Sequence, residues 1–289
     1  MYYVDLLAVG LVWGCSYALM ALGLTLVYGL LRILHVAQAT VFTFGAYIGV
    51  LVATHSGSLG LAFLAAALGA GILGPAIYRL VYQPILDKPR YVLLVASVGI
   101  VIAMEDGFRL IFGPYGEPFN VGSSSLSHTY TVYGITLSAV QICIVLTALV
   151  LLGVLGILAA RTRTGVAWRA TVSDPVMAQS FGVSVTNVRY LCFAIASAIA
   201  GLAGVLIGLL NGLVEPPMGS VISYKGLAII VLGGLGNVRG TLVASLVLGA
   251  VESFGSVLLN NFIDRDAIAF AFVILVLMLR PQGLFDQAA

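Results

Sequence analysis

Charge is what this sequence has least of. Only 8% of its 289 residues are charged, against about 25% in an ordinary soluble domain, which excludes a soluble globular fold. Cysteine is almost as scarce. Cys15, Cys143 and Cys192 all lie inside apolar runs and read as small buried hydrophobes, which argues against a disulfide framework or a cysteine metal site. His35, His55 and His128 are scattered, with no metal-ligand spacing among them. No serine, cysteine–histidine or aspartate-pair constellation is placed for catalysis. No Gly-x-x-x-x-Gly-Lys-Ser/Thr loop occurs, so the chain has no phosphate loop of that kind for ATP. The ten-residue alternation of a membrane β-barrel is also missing.

What is present in quantity is hydrophobicity. Apolar residues make up 61% of the chain, and mean hydropathy is +1.12. Runs of about 20 apolar residues recur throughout, each long enough to cross a bilayer core of about 30 Å as a helix. In lipid the backbone has no other hydrogen-bond partner, so the fold class is all-α, a polytopic transmembrane helical bundle forming one domain over residues 1–289. Spans are expected at about 4–28, 38–53, 59–81, 91–112, 135–160 and 188–210. Less regular segments follow at 225–234, 241–259 and 267–279, giving about eight to nine membrane segments. The first run begins at Val4 or Asp5 without a basic leader and reads as a retained span. The stretch from Gly113 to about Gly134, rich in Gly and Ser, is expected to be a loop.

Alternating these spans places Arg32, Arg79, Lys88, Arg90, Arg161, Arg163, Arg169, Arg189, Arg239 and Arg280 at one end of the bundle. Arg109, Lys225 and Arg265 fall at the other. The positive-inside rule makes the first end cytoplasmic, with the N-terminus outside and the C-terminus inside. Gly233, Gly234, Gly236 and Gly240 crowd a short stretch that would weaken any helix, so a break is expected there. The Leu30–Ala39 and Gly233–Gly240 joints resemble one another, each following a Gly-Leu pair and preceding a Gly-Ala pair, which suggests an internal duplication. Gly201, Gly204 and Gly208 with Ala200 form a small-residue stripe suited to close helix packing.

The polar island from Arg161 to Arg189 stands apart. Ser173 or Asp174 can cap a helix, Pro175 suits its first turn and Gly182 its end. A short basic helix between two spans can take a push from a soluble partner, so Arg169, Asp174 and Gly182 are its candidate coupling residues; a solvated loop is the plainer reading. Trp168 suits either the headgroup level or the underside of that helix. Thr40, Thr43 and Tyr47, with Gln38 before them, follow one helix face and could line a translocation path, or simply bond between helices. Glu105, Asp106 and Arg109 form an outer polar cluster in which Glu105 and Arg109 are spaced to pair. It reads as a helix lock, with a polar gate or proton path as the functional alternative. Glu252 lies deep in an apolar run with no basic neighbour in sequence. It is expected to be satisfied across the bundle or held protonated. Asn211 and Glu215, at the outer end of the sixth span, could face a soluble binding partner or simply end the helix before Pro216 and Pro217.

Read together, the segments Ala21–Gly29, Ala37-Gln38, Gly45–Tyr47, Thr164-Gly165, Arg169-Ala170, Asp174, Gly182-Val183, Gly201–Val205, Val231–Gly236, Gly240 and Arg280–Phe285 have a familiar order. Over essentially its whole length the chain resembles the LivH-type permease subunits of bacterial branched-chain amino acid ABC importers. The resemblance implies a multi-pass subunit of the bacterial inner membrane with no enzyme activity and no cofactor of its own. It implies a second permease partner of LivM-like type, two ATP-binding subunits that hydrolyse ATP, and a periplasmic substrate-binding protein, with membrane lipid around it and no nucleic acid. The polar island would then be the coupling element. One departure stands out: where the family often has His-Gly followed by an acid, this chain has Gln38-Ala39-Thr40. That leaves urea, short amides or small and aromatic carboxylates as alternative cargo, and an ion-coupled secondary transporter as the competing class.

Overall fold

The computed structural model describes residues 2–119, 129–132, 135–259, 264–280 and 283–284. His128, Gly134 and, in the C-terminal motif, Pro281, Gln282 and Phe285 lie outside the described residues. Helices dominate in the order α1 (Tyr2–Leu31), α2 (Gln38–Ser56), α3 (Leu59–Ile77) and α4 (Arg90–Phe112). Then come α5 (Ala139–Arg161), α6 (Arg163–Ser173), α7 (Pro175–Ser180), α8 (Val185–Asn211), α9 (Met218–Gly233), α10 (Val238–Leu258) and α11 (Arg265–Leu279). Four short strands are β1 (Glu117–Pro118), β2 (Thr129–Val132), β3 (Ile135–Ser138) and β4 (Leu213–Val214).

Among the described residues, 7 helices are long and apolar enough to cross a membrane: α1, α2, α3 with its extension, α4, α5, α8 and α10. Helices α9 and α11 occupy the remaining expected segments but have only 16 and 15 residues. At about 1.5 Å per residue each falls short of a full bilayer core of about 30 Å. Helix α9 begins at Met218, earlier than Lys225 where the apolar pattern starts, and Ser223 in this first part is buried. The fifth span starts at Ala139 and not Ile135. Residues 135–138 form β3, paired antiparallel with β2, and a Ser138–Gln141 capping box opens the helix. The expected loop after Gly113 therefore carries strands.

The helix directions follow from close approaches. On α1, Gly10 meets Ala250 and Gly14 meets Leu246 of α10; further along, Thr25 Oγ1 lies 2.9 Å from Thr241 Oγ1, so the two helices are antiparallel. Gly201 of α8 presses on Ala70 and Ala66 of α3, and Gly74 of α3 on Ser197 of α8, in the same antiparallel sense. Helix α2 runs parallel to α8. A β-carbon on Gly45 would lie 2.3 Å from Gly201 Cα, so the two backbones touch with no room for any side chain. The small-residue stripe predicted on α8 is thus real, and it serves α2 on one side and α3 on the other.

An internal relation is visible, though not the one the sequence suggests. Helices α1, α2 and α3 and helices α8, α9 and α10 form two sets of opposite direction. Each has a long helix, a non-helical return, a shorter helix and a third helix. The first helix of each set packs most extensively on the third helix of the other: α1 on α10, and α8 on α3. The likeness between the joints at 30–39 and 233–240 reflects helix-turn-helix geometry common to both.

Candidate functional site

The two returns bring their helix starts together inside the bundle. After α1 the chain turns back through residues 32–37, where Arg32 has φ 52. His35 fixes this return: its Nδ1 lies 2.7 Å from Tyr82 Oη, and its ring meets Phe193 edge-on. Burial pushes the His35 imidazole down to about 3, so it stays neutral. Sequence alone shows only a lone histidine there. Helix α2 then starts with Gln38 fully buried. Its Nε2 donates to Ala196 O at 2.9 Å, and its Oε1 is buried with no partner among the described residues.

From the opposite end, residues 212–217 return into the bundle after α8. Here β4 pairs antiparallel with β1, Glu117 opposite Val214, which clips the 113–119 segment over the turn. Helix α9 begins at once. Gly219 N donates to Thr43 Oγ1 at 3.1 Å, and a β-carbon on Gly219 would lie 2.0 Å from Ala39 O. The positive end of α9 thus abuts the first turns of α2 in the interior.

Gln38, Thr40, Thr43 and Tyr47 are all buried here. Thr40 Oγ1 donates to Ala37 O at 2.8 Å, Thr43 Oγ1 to Ala39 O at 3.2 Å, and the Tyr47 ring stacks on Phe112 at 4.1 Å. The Tyr47 hydroxyl and the Ser223 hydroxyl of α9 are buried without partners among the described residues. Glu105 joins this region by bonding Ser220 Oγ of α9. It does not pair with Arg109, as its spacing suggested. Arg109 pairs with Asp106 at 2.9 Å on the exposed face, with side chains 47% and 59% exposed. One residue on a helix turns a side chain by about 100°, which sends Glu105 inward and Asp106 outward.

Glu252 is satisfied across the bundle by a residue expected at its outer end. Lys225, 6% exposed within α9, lies 3.0 Å from Glu252 Oε1 of α10 and 2.7 Å from Asp266 Oδ1 of α11. Lys225 also donates to Tyr17 Oη of α1 at 3.0 Å, and Tyr17 donates on to Glu252 Oε2 at 2.6 Å. Four helices therefore share one ammonium group. The signal for it was an unmatched acid and an unmatched lysine in apolar runs.

The break at Gly233–Gly240 is a turn, with Gly234 and Gly236 at φ 92 and 85 between α9 and α10. Gly233 is the last residue of α9. Gly240 is not part of the break. It lies in the first turns of α10, where Gly233 packs directly on its carbonyl. The C-terminal motif docks beside this turn, with Leu284 N donating to Leu232 O at 2.7 Å.

The polar island forms two helices, where one was expected. Thr162 Oγ1 accepts from Gly165 N at 3.0 Å to cap α6, and Gly165 presses on the last carbonyls of α5. Asp174 interrupts the helix with φ −150, because a residue before proline avoids the α region. Its Oδ1 then caps α7, accepting from Val176 N at 2.9 Å and Met177 N at 3.0 Å. Gly182, at φ 83, ends the unit. Among the described residues no ion pair joins Arg169 to Asp174. A feature missed from sequence is apolar: Val176 is 73%, Met177 56% and Phe181 81% exposed around α7. Trp168 is half-buried against the core beneath α6.

Comparison with known proteins now bears on this arrangement. Residues 6–280 match the family described as branched-chain amino acid transport system / permease component. The high-affinity branched-chain amino acid transport system permease protein BraD of Pseudomonas aeruginosa is 32% identical over 304 residues, covering 99% of this chain and 96% of BraD. The corresponding LivH protein of Salmonella typhimurium is 28% identical with the same coverage. The LivM permease protein of that organism is 31% identical over 129 residues, 44% of this chain and 29% of LivM. No solved structure matches the chain.

Proposed function

The chain belongs to the branched-chain amino acid transport permease family, and from that premise we propose that it lines, with a second permease, the path of an ABC importer for branched-chain amino acids. The partial likeness to LivM favours a related but different chain as that second permease. ATP would be hydrolysed by two separate ATP-binding subunits, and a periplasmic binding protein would deliver cargo. The basic residues at the α6–α7 end support a cytoplasmic location for that end in the bacterial inner membrane, with the N-terminus outside.

The observation that carries the coupling reading is the α6–α7 unit. It projects beyond the span α5 on a tightly folded joint at Gly165 and presents Val176, Met177 and Phe181 to solvent. Exposed apolar residues on a charged, capped unit suit a groove on a soluble partner. Arg169, Asp174 and Gly182 would shape and steer it. The path itself would run where α2 meets α9. There, the buried Gln38 Oε1, Tyr47 and Ser223 groups, which have no partner among the described residues, suit the polar part of a cargo molecule. The names of the relatives favour amino acid cargo over urea, amides or other carboxylates despite Gln38-Ala39-Thr40.

The test is reconstitution of the complex with its ATPases and binding protein. ATP-dependent uptake of labelled leucine is expected. Asp174→Arg with Gly182→Pro should leave membrane insertion intact but cut uptake per ATP at least tenfold. Gradient-driven flux through the chain alone, without ATP, would replace the importer by a secondary carrier.

A further inference from the structure

A crevice of about 750 Å³ opens between α1, α5, α6, α8 and α10 at the basic end of the bundle. It takes no part in the α2–α9 meeting point. Its walls are aliphatic, with Leu26, Leu155, Leu158, Leu191, Ile195 and Leu242 among them. Its polar groups are few: the neutral Thr164 and Asn187 and two cations. Arg169 and Arg239 line it, both exposed, and among the described residues neither guanidinium has an ion-pair partner. The Trp168 ring also lines it. The crevice therefore offers two cations and a wall for hydrocarbon, and its lining holds no carboxylate among the described residues.

A water-filled site would leave the aliphatic wall uncovered, and an uncharged chain would leave the two guanidiniums unmatched. We propose that this crevice binds an anionic phospholipid, its phosphate between Arg169 and Arg239, its acyl chain along the leucines and the Trp168 ring. Free phosphate compounds match the cations but not the wall. Planar guanidiniums suit phosphate oxygens, and each cation near an anionic headgroup adds to the preference over a zwitterionic one. The site lies directly beneath α6, so its lipid would support the joint between the bundle and the α6–α7 unit. It does not depend on what that unit docks against.

Trp168 is itself the reporter. The chain has 2 tryptophans, so Trp13→Phe leaves Trp168 alone. The purified full chain is placed in vesicles of phosphatidylcholine containing a minor fraction of acyl-brominated phosphatidylglycerol or acyl-brominated phosphatidylcholine, and Trp168 quenching is titrated. Phosphatidylglycerol is expected to quench at roughly tenfold lower fraction. Arg169→Gln with Arg239→Gln should abolish that preference, and the two Arg→Lys changes should keep most of it. Both arginines are exposed, so the variants should fold, which thermal unfolding checks. Equal quenching by both lipids, or a preference indifferent to the arginine changes, overturns the site. Competition by soluble glycerol phosphate as strong as that by the lipid also overturns it, in favour of a free phosphate compound. Native mass spectrometry of the assembled transporter should retain phosphatidylglycerol on this chain. Its absence there would mean that a protein subunit, not lipid, covers the crevice.

Discussion

Lys225 shows how much one residue can hold. Its ammonium meets Glu252, Asp266 and the Tyr17 hydroxyl, and so joins α9 to α10, α11 and α1. Removing one partner of a buried ion pair costs about 3–5 kcal/mol, because the remaining charge is left unpaired. Lys225→Met should therefore lower thermal stability by that order, and Lys225→Met with Glu252→Met should recover most of it, as followed by unfolding in detergent. A single variant as stable as the parent would mean that the Lys225–Glu252 contact does not hold α9 to α10. Glycines give a second contrast. Gly45→Ala forces a methyl against the Gly201 backbone and should destabilise by about 1–3 kcal/mol. Gly99→Ala, inside α4 with nothing within 4 Å, should stabilise by about 0.5–1 kcal/mol. The same melting measurement reads both, and equal effects would show that α2 and α8 do not touch backbone to backbone.

At the scale of elements, the start of α9 rests on one side chain of α2. Thr43 Oγ1 accepts the Gly219 N–H while donating to Ala39 O. Thr43→Val keeps the shape but leaves that N–H unmatched, at a cost of about 1–3 kcal/mol. Because α9 carries Lys225 further along, the loss should also loosen the ion network. Hydrogen exchange of the α9 amides should then accelerate ahead of those in α8, and uniform acceleration would argue against a local hinge at this contact. The α6–α7 unit obeys different rules. Its two helices are divided by Asp174 and Pro175, and its apolar residues face water where a span would face lipid.

For the molecule as a whole, orientation is the first property to check. A cysteine introduced by Val176→Cys on α7 should react with a membrane-impermeant thiol reagent only after cells are permeabilised. One introduced by Leu213→Cys on β4 should react in intact cells, because the alternation of spans puts α7 and β4 at opposite ends. The opposite pattern would invert the membrane topology and remove α6–α7 from any cytoplasmic ATPase.

Composition and apolar run length by themselves determined the class of protein, the polar island between α5 and α8 and, apart from the start of α9, the location of the apolar helices to within a few residues. These properties are local: a bilayer filters helices by length and hydrophobicity, and capping residues act within one turn. Gly201 and Gly204 were legible as packing glycines for the same reason. Only the tertiary structure decided which polar groups meet. Glu105 turned to Ser220 and not Arg109, Lys225 reached Glu252 and Asp266 from a different helix, and the start of α9 came to rest on Thr43. Such pairings depend on how helices far apart in sequence are laid against one another. In an apolar chain, where nearly every helix face is greasy, periodicity does not say which face meets which.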